Sequence, residues 1–429
     1  MAIKEKLDPN LQAVKDNLDS YIDNLRCLRE TANYSDVMLR RQKTDVDKLY
    51  NDFIATYCTD VKDEFDIPSE KLREYKQLER KKKRAAKAID LIPPIYIVSL
   101  VSHFDNFLAG LIRCIYSLKP KLLLDSNKSF TYRDVDPLHD LKDVKKLVID
   151  DTRAALFRDS HSKHFNWLES SLDINTLTKF NQWPSFIELT ERRNLFVHSD
   201  GIVSPQYIKI CKDNGYNVQD IQIGSKLCSD DIYFQSSCNL LCGMAIMLTF
   251  IVINKLYCQK DNKERQEERD IILINVVFDL ICDKLYDVAI LVSEFALSSQ
   301  FKRNSRNKLY IELNLAQSYK WNGEKDKCSE ILSKLDTGIM MDDFVIPKLV
   351  LEEKYDDVYA KMKSLGKESE ILSKDHYRDW PIFQKIRKEE AFKKTFKEVF
   401  GEPLDLETTT IKLKQNDDSA VEENAIAET

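Results

Sequence analysis

Glycine and proline are scarce in this chain, nine and eleven among 429 residues. A sheet-rich fold or a glycine-lined phosphate loop needs more positions of positive φ than nine glycines supply, so the composition points to a mostly helical protein. Histidine is scarcer still, with six residues, and none stands in an HExxH pattern. GxSxG elbows, Walker loops and Cys/His clusters are all missing. Their absence removes the best-marked hydrolase, nucleotide-binding and zinc classes, and neither a metal nor a cofactor is expected. The ten cysteines form no CxxC pair, and Cys238 and Cys242, four apart, fall on one helix face. They read as reduced core thiols of a reducing compartment, which sets the expectation of a cytoplasmic protein. The opening stretch MAIKEKLDPNLQAV has no apolar core, so no signal peptide is expected.

A charge excess of one sign is missing from most of the chain as well. The formal net charge is −6, but residues 401–429 alone hold eight acids and two lysines. The remaining residues carry 63 bases and 63 acids. The folded body is therefore neutral, and the acidic isoelectric point is no argument against a polyanionic partner. The acidic tail reads as disordered.

Helical periodicity is abundant. Leu11, Val14, Leu18, Tyr21, Ile22, Leu25 and Leu28 recur at three and four, an amphipathic helix with Asp8-Pro9 at its start. Further helices are expected over about 46–65 and 69–89, with Pro93-Pro94 as an interruption and domain boundary. The basic run Arg80-Lys81-Lys82-Lys83-Arg84 reads either as a solvated helix face or as a contact to phosphates. An apolar helix over 96–118 opens a second unit, and 232–254, free of charge throughout, closes it. That closing stretch is long enough to span a bilayer, but its Gln, Ser and Asn residues favour a buried bundle helix, so no membrane contact is expected. Beyond residue 268 helix pairs recur around an Asn322-Gly323 turn. The starts Lys284-Leu-Tyr-Asp-Val-Ala289 and Lys354-Tyr-Asp-Asp-Val358 look like copies of one another. Ala289, Cys328 and Val358 are 39 and 30 residues apart, a degenerate helical repeat that resembles tetratricopeptide arrays. The expected organisation is all-α: an arm over 1–90, a helical bundle over 91–260, helical repeats over 265–400 and a tail over 401–429.

The most specific chemical signal is Glu191-Arg192-Arg193-Asn194-Leu195-Phe196-Val197-His198-Ser199-Asp200-Gly201. Residues five apart on a regular helix are turned by about 140°, so Arg193 and His198 converge only where the helix ends at His198, or across a two-fold axis. Gly201 suits such an ending. Leu195, Phe196 and Val197 are expected to anchor the segment in the core. The segment RRNLFVHSDGIVSPQYI resembles the Arg-Asn-x-x-x-His signature of the HEPN superfamily. SHFDNFLAGLIRCIY, with Asp105, resembles that family's first long helix. The likeness covers about 95–258.

This resemblance implies a dimerising helical bundle that cuts RNA without a metal. The ribose 2′-OH would attack the adjacent phosphate, leaving a 2′,3′-cyclic phosphate and a 5′-OH. It implies His198 in proton transfer, Arg193 in phosphate stabilisation, Asn194 in positioning, and Asp105 in orienting His198 or Arg193. Arg192 is a further candidate for phosphate contact, together with Arg80, Lys81, Lys82, Lys83 and Arg84. By analogy the protein resembles a toxin or abortive-infection effector of antiphage defence, with the repeats taking a protein trigger or inhibitor. A structural account of the same residues stands beside it. Arg193 would pair with Glu191 or Asp105, His198 would complement the helix dipole, and the chain would be a non-catalytic dimerisation scaffold. Arg158-Asp159 to His164 is a second, more polar Arg-to-His spacing. His161 and His164, three apart, could share a helix face and bind a metal, but with no acid or thiol partner nearby they read as an exposed polar pair.

Overall fold

A computed structural model describes residues 7–405, apart from 62–63, 125–129, 137, 139, 157–159, 259–261, 299–300, 336–341, 368 and 370–371. The protein is all-α, with seventeen α-helices and one small β-hairpin among the described residues. Two compact units divide it, Met1–Glu324 and Lys325–Thr429. Most of the acidic tail, and Arg158 and Asp159 of the second spacing, lie outside the described residues.

Two long helices organise the first unit. α1 spans Pro9–Tyr57, its first turn capped by the Asp8 side chain on the Asn10 N–H at 2.8 Å. α2 spans Leu72–Leu118. The strands β1 (Thr59–Val61) and β2 (Glu64–Asp66) pair antiparallel between them, where helix was expected to continue to residue 65. The amphipathic stripe from Leu11 to Leu25 is buried in the same core as Ile97, Leu100, Phe104, Phe107 and Leu111 of α2. The first part of the chain thus belongs to the bundle, and the arm is a different stretch. From 33 to 96 only Phe53 and Ala85 are buried among the described residues, so the distal half of α1 and the proximal half of α2 form a two-helix arm with a thin seam.

Pro93 and Pro94 do not end α2, which corrects the boundary expected at residue 90. The prolines leave the carbonyls of Ile89 and Asp90 without intrahelical donors. Ile89 is half-buried and Asp90 exposed, and both line an open groove. α1, packed alongside, holds the two halves in line.

The short helices α3 (Lys121–Leu124) and α4 (Tyr132–Val135) lead to α5 (Leu141–Leu156) and α6 (His161–Leu172). α7 (Trp183–His198), α8 (Pro205–Asp213) and α9 (Asp231–Val252) complete the bundle, with a π-helical turn over Ile253–Tyr257. α2 and α9 both pass for bilayer-spanning helices by length and apolarity, yet 83% of the apolar window in α9 is buried inside the protein. α9 packs against α1, α2, α7 and α11 (Tyr286–Leu297).

α10 (Lys263–Cys282) and α12 (Ser305–Trp321) complete the first unit, and α13 (Lys325–Lys334), α14 (Asp342–Leu351) and α15 (Tyr355–Leu365) open the second. α16 (Lys374–Asp379) and α17 (Glu390–Phe400) close the described chain. Three of the connections share one turn. Lys284, Gly323 and Glu353 have φ of 62°, 91° and 60°. The next N–H in each case bonds the carbonyl five residues back, at 2.8, 2.9 and 3.0 Å. This is the left-handed helix C-cap, and it explains the 39- and 30-residue offsets, since Ala289, Cys328 and Val358 each follow their turn by five positions and are buried.

Six of the ten cysteines are buried. Burial pushes the Cys211 and Cys238 thiols up to about 12, so they are poor nucleophiles in the folded state.

Gly110 lets α1 and α2 approach closely: a Cβ there would lie 1.8 Å from Asn17 Oδ1. The Asn17 amide is itself committed, donating to the Phe107 carbonyl at 3.1 Å. Gly110→Ala is expected to cost ~1–3 kcal/mol, and adding Asn17→Ala should recover part of that loss. Urea denaturation of the single and double variants measures the coupling.

Candidate active site

The site grows from the end of α7. The helix stops at His198 because Asp200 and Gly201 turn left-handed, φ 48° and 80°. The N–H groups of Ser199 and Gly201 both return to the Leu195 carbonyl, at 2.8 and 3.1 Å. A Cβ on Gly201 would meet the Leu227 carbonyl at 3.0 Å. The strand-like pairing of Ile202 with Lys226, and an ion pair of Lys226 with Asp200 at 2.7 Å, hold this exit in place. Of the three expected anchors, Leu195 is buried and Phe196 half-buried, whereas Val197 is 48% exposed. Val197 therefore does not anchor the segment, because the helix end turns that face outward.

Asp105 of α2 is the hinge of the arrangement. One carboxylate oxygen meets His161 Nε2 of α6 at 2.7 Å, and the other accepts from Arg193 Nη2 of α7 at 3.2 Å. Asp105 therefore orients Arg193 and His161, and no hydrogen bond joins it to His198 among the described residues. Arg193 Nε is buried without a hydrogen-bond partner among the described residues. Asn194 donates to Glu191 at 3.5 Å. Burial pushes the Glu191 carboxyl above the usual carboxylate range, against the opposing pull of His161 and Arg193. His198 is exposed, and its imidazole has no hydrogen-bond partner among the described residues. These groups line one cleft of about 500 Å³ together with His164, Ser204 and Tyr207.

His161 and His164 correct the expectation of an exposed pair. They are 8% and 4% exposed, with rings 5.2 Å apart. The clue was in the spacing: His161, His164, Phe165, Leu168 and Leu172 fall on one helical stripe, the one α6 buries. Among the described residues no three His, Cys, Asp or Glu side chains gather as a metal site.

Arg192 is not in the cleft. It pairs with Glu188 at 2.6 Å, donates to the Cys228 carbonyl at 3.0 Å and stacks over the Tyr233 ring at 3.9 Å. Glu188, 2% exposed, also accepts from the hydroxyls of Tyr207 and Tyr233 at 2.6 and 2.8 Å. Arg192 thus neutralises a buried carboxylate and ties α7 to α9, while Glu188 holds α8 through Tyr207. The adjacent Arg193 points elsewhere because successive helix residues are turned by about 100°.

The basic run lies on the arm. Arg80, Lys81, Lys83 and Arg84 are exposed, and Lys82 is half-buried over the Tyr50 ring at 4.1 Å. Arg84 and Asp105 sit on one helix, about 30 Å apart at ~1.5 Å per residue.

Comparisons with known protein families, with curated proteins and with solved structures return no match for this chain.

Because the folded state retains the Glu191 proton where the unfolded chain has released it, Glu191 lowers stability as pH rises from the ordinary carboxylate range. Glu191→Gln should therefore gain on the wild type between about pH 4 and pH 7. Urea midpoints at the two pH values check it, and a constant difference between the proteins counts against the burial effect.

Proposed function

We propose that the chain is a metal-independent endoribonuclease of the HEPN type, acting on RNA at the Arg193–His198 cleft. The observation that carries this reading is the convergence of Asp105, Arg193, Asn194 and His198 in one cleft, drawn from α2 and α7 and separated by 88 residues at the Asp105–Arg193 ion pair. His198 takes the proton from the ribose 2′-OH, whose oxygen attacks the neighbouring phosphorus as the bond to the 5′-oxygen breaks. The departing 5′-oxygen collects a proton, and Glu191, whose carboxyl is pushed up by burial, is the candidate to supply it. Arg193, steadied by Asp105, meets the charge that gathers on the phosphate. Asp105 and His161 act as positioning residues behind it. The products are a 2′,3′-cyclic phosphate and a 5′-OH. A requirement for the 2′-OH makes RNA, and not DNA, the substrate.

The biological setting we infer is that of a toxin or antiphage effector in the cytoplasm, working as a homodimer, with the helical hairpins of the C-terminal region taking a protein trigger or inhibitor. Extended helical arrays suit that task.

Purified protein incubated with transfer RNA in EDTA should yield fragments with 2′,3′-cyclic phosphate ends. His198→Ala and Arg193→Ala should each lower the rate by about 100-fold or more. Arg192→Ala should instead lower the thermal midpoint, because it leaves Glu188 buried and unpaired. Intact RNA with every preparation, and no growth defect on expression, would leave the non-catalytic scaffold as the better reading.

A further inference from the structure

The arm carries a row of cations aligned with the cleft. Residues 71–87 hold nine bases and two acids. Arg73, Lys76, Arg80, Lys83 and Lys87 recur at intervals of three and four, and all five are exposed. Lys83 pairs with Glu79 at 2.7 Å. The other four form no ion pair among the described residues. The opposite face of the same stretch, with Tyr75, Leu78, Lys82 and Ala85, is the seam turned towards α1.

The direction of this stripe is set by helix geometry. Lys87 precedes Asp105 by eighteen residues on α2, which is five full turns at about 100° per residue. Arg73, Lys76, Arg80 and Lys83 fall within about 40° of the same direction. The stripe and the cleft carboxylate therefore lie along one side of one helix. At ~1.5 Å per residue, Lys87 is about 27 Å and Arg73 about 48 Å from Asp105.

The interval between them is not blank. A groove of about 930 Å³ lies there, lined by Lys87, Leu91, Ile95, Val98, Phe196 and Asp200 among others. Leu91 and Ile95 are 51% and 53% exposed. Phe196 lines this groove and His198 lines the cleft, so the end of α7 is the divide between the two. Apolar walls suit base faces, and the carboxylate of Asp90 can accept from a base amino group.

We propose that the arm is a substrate track, and that the protein takes single-stranded RNA whose backbone runs from the cleft, over the end of α7, through the apolar groove and along the Arg73–Lys87 stripe. This rests on the ribonuclease reading for the cleft. At ~3.4 Å per stacked nucleotide the track spans about 8 to 14 nucleotides from the cut. The substrate class is thus an unpaired strand long enough to reach the arm, and short oligonucleotides are poor substrates for lack of the distal contacts.

The test compares an unstructured 6-mer and 20-mer RNA, with the full-length wild type and the variant Arg73→Gln, Lys76→Gln, Arg80→Gln, Lys83→Gln, Lys87→Gln. In EDTA at low salt the wild type should favour the 20-mer in kcat/KM by about tenfold or more, and the variant's ratio should fall towards one. Binding of the labelled 20-mer to His198→Ala, with and without the five changes, is read by fluorescence anisotropy over a salt series. The log–log salt slope should be shallower by about 3.5 for five lost phosphate contacts on a single strand. Leu91→Ser with Ile95→Ser should weaken 20-mer binding without altering that slope. An unchanged length preference and slope in the five-fold variant overturns the track. Sedimentation of the wild type, but not the variant, with phosphatidylserine vesicles, together with equal RNA binding by both, would overturn it in favour of a membrane contact. If the wild type cuts neither RNA, the nuclease reading fails, and the anisotropy slopes still decide the track.

Discussion

A helix that turns apolar on every side has to be enclosed there, and α9 is such a helix from Leu241 to Val252. After Asp231 it runs to Val252 without a charge, and fifteen of its residues are buried. Burying so much surface outweighs any preference of the neighbouring segments for water. α1, α2, α7 and α11 are drawn against it, which fixes the relative placement of helices far apart in the chain. Some of the polar groups beside it are matched: Arg29 of α1 donates to Asn239 at 2.5 Å, and Tyr233 donates to Glu188, whereas the Tyr21 hydroxyl and Arg29 Nε are buried without a partner among the described residues.

The candidate site is a consequence of that enclosure. With α2 and α7 packed on each other and on α9, Asp105 and Arg193 come within 3.2 Å. A carboxylate in this setting accepts from His161 and Arg193 at once, which limits the rotation of both. His198 escapes the network because α7 ends there, and a side chain without an internal partner is the one free to meet a ligand. The paired arginines show how one helix serves two ends: Arg192 stabilises the bundle at Glu188 while Arg193 faces the cleft.

α2 has a second consequence. A helix that runs through two prolines without breaking carries its angular phase from the arm into the core. Rigid helices transmit direction as well as position, so the exposed stripe of the arm and Asp105 share a side by construction and not by the accident of a loop. The thin seam of the arm, with only Phe53 and Ala85 buried among the described residues, contributes little to the core.

Much of this was legible in the residues. The helical class followed from scarce glycine and unbroken three-and-four spacing, because local backbone preference and hydrophobic periodicity act over a few residues. The stop of α7 at His198 followed from Gly201, which takes the left-handed turn there. The turn at Asn322-Gly323 was legible from its glycine, but the matching left-handed turns at Lys284 and Glu353 carry none, so the offsets of 39 and 30 found their reason only in the structure. Other features depend on contacts between residues distant in sequence. Pro93-Pro94 reads locally as a break, and the packing of α1 along α2 keeps the helix whole. His161 reads as polar and exposed until Asp105, 56 positions away, supplies its hydrogen bond. Arg192 and Arg193 are indistinguishable as letters, and the buried Glu188 decides which is structural. Sequence by itself determined what each segment would be; which charged groups would meet was decided by the tertiary structure, because pairing a buried charge depends on a partner that only the folded chain brings within reach.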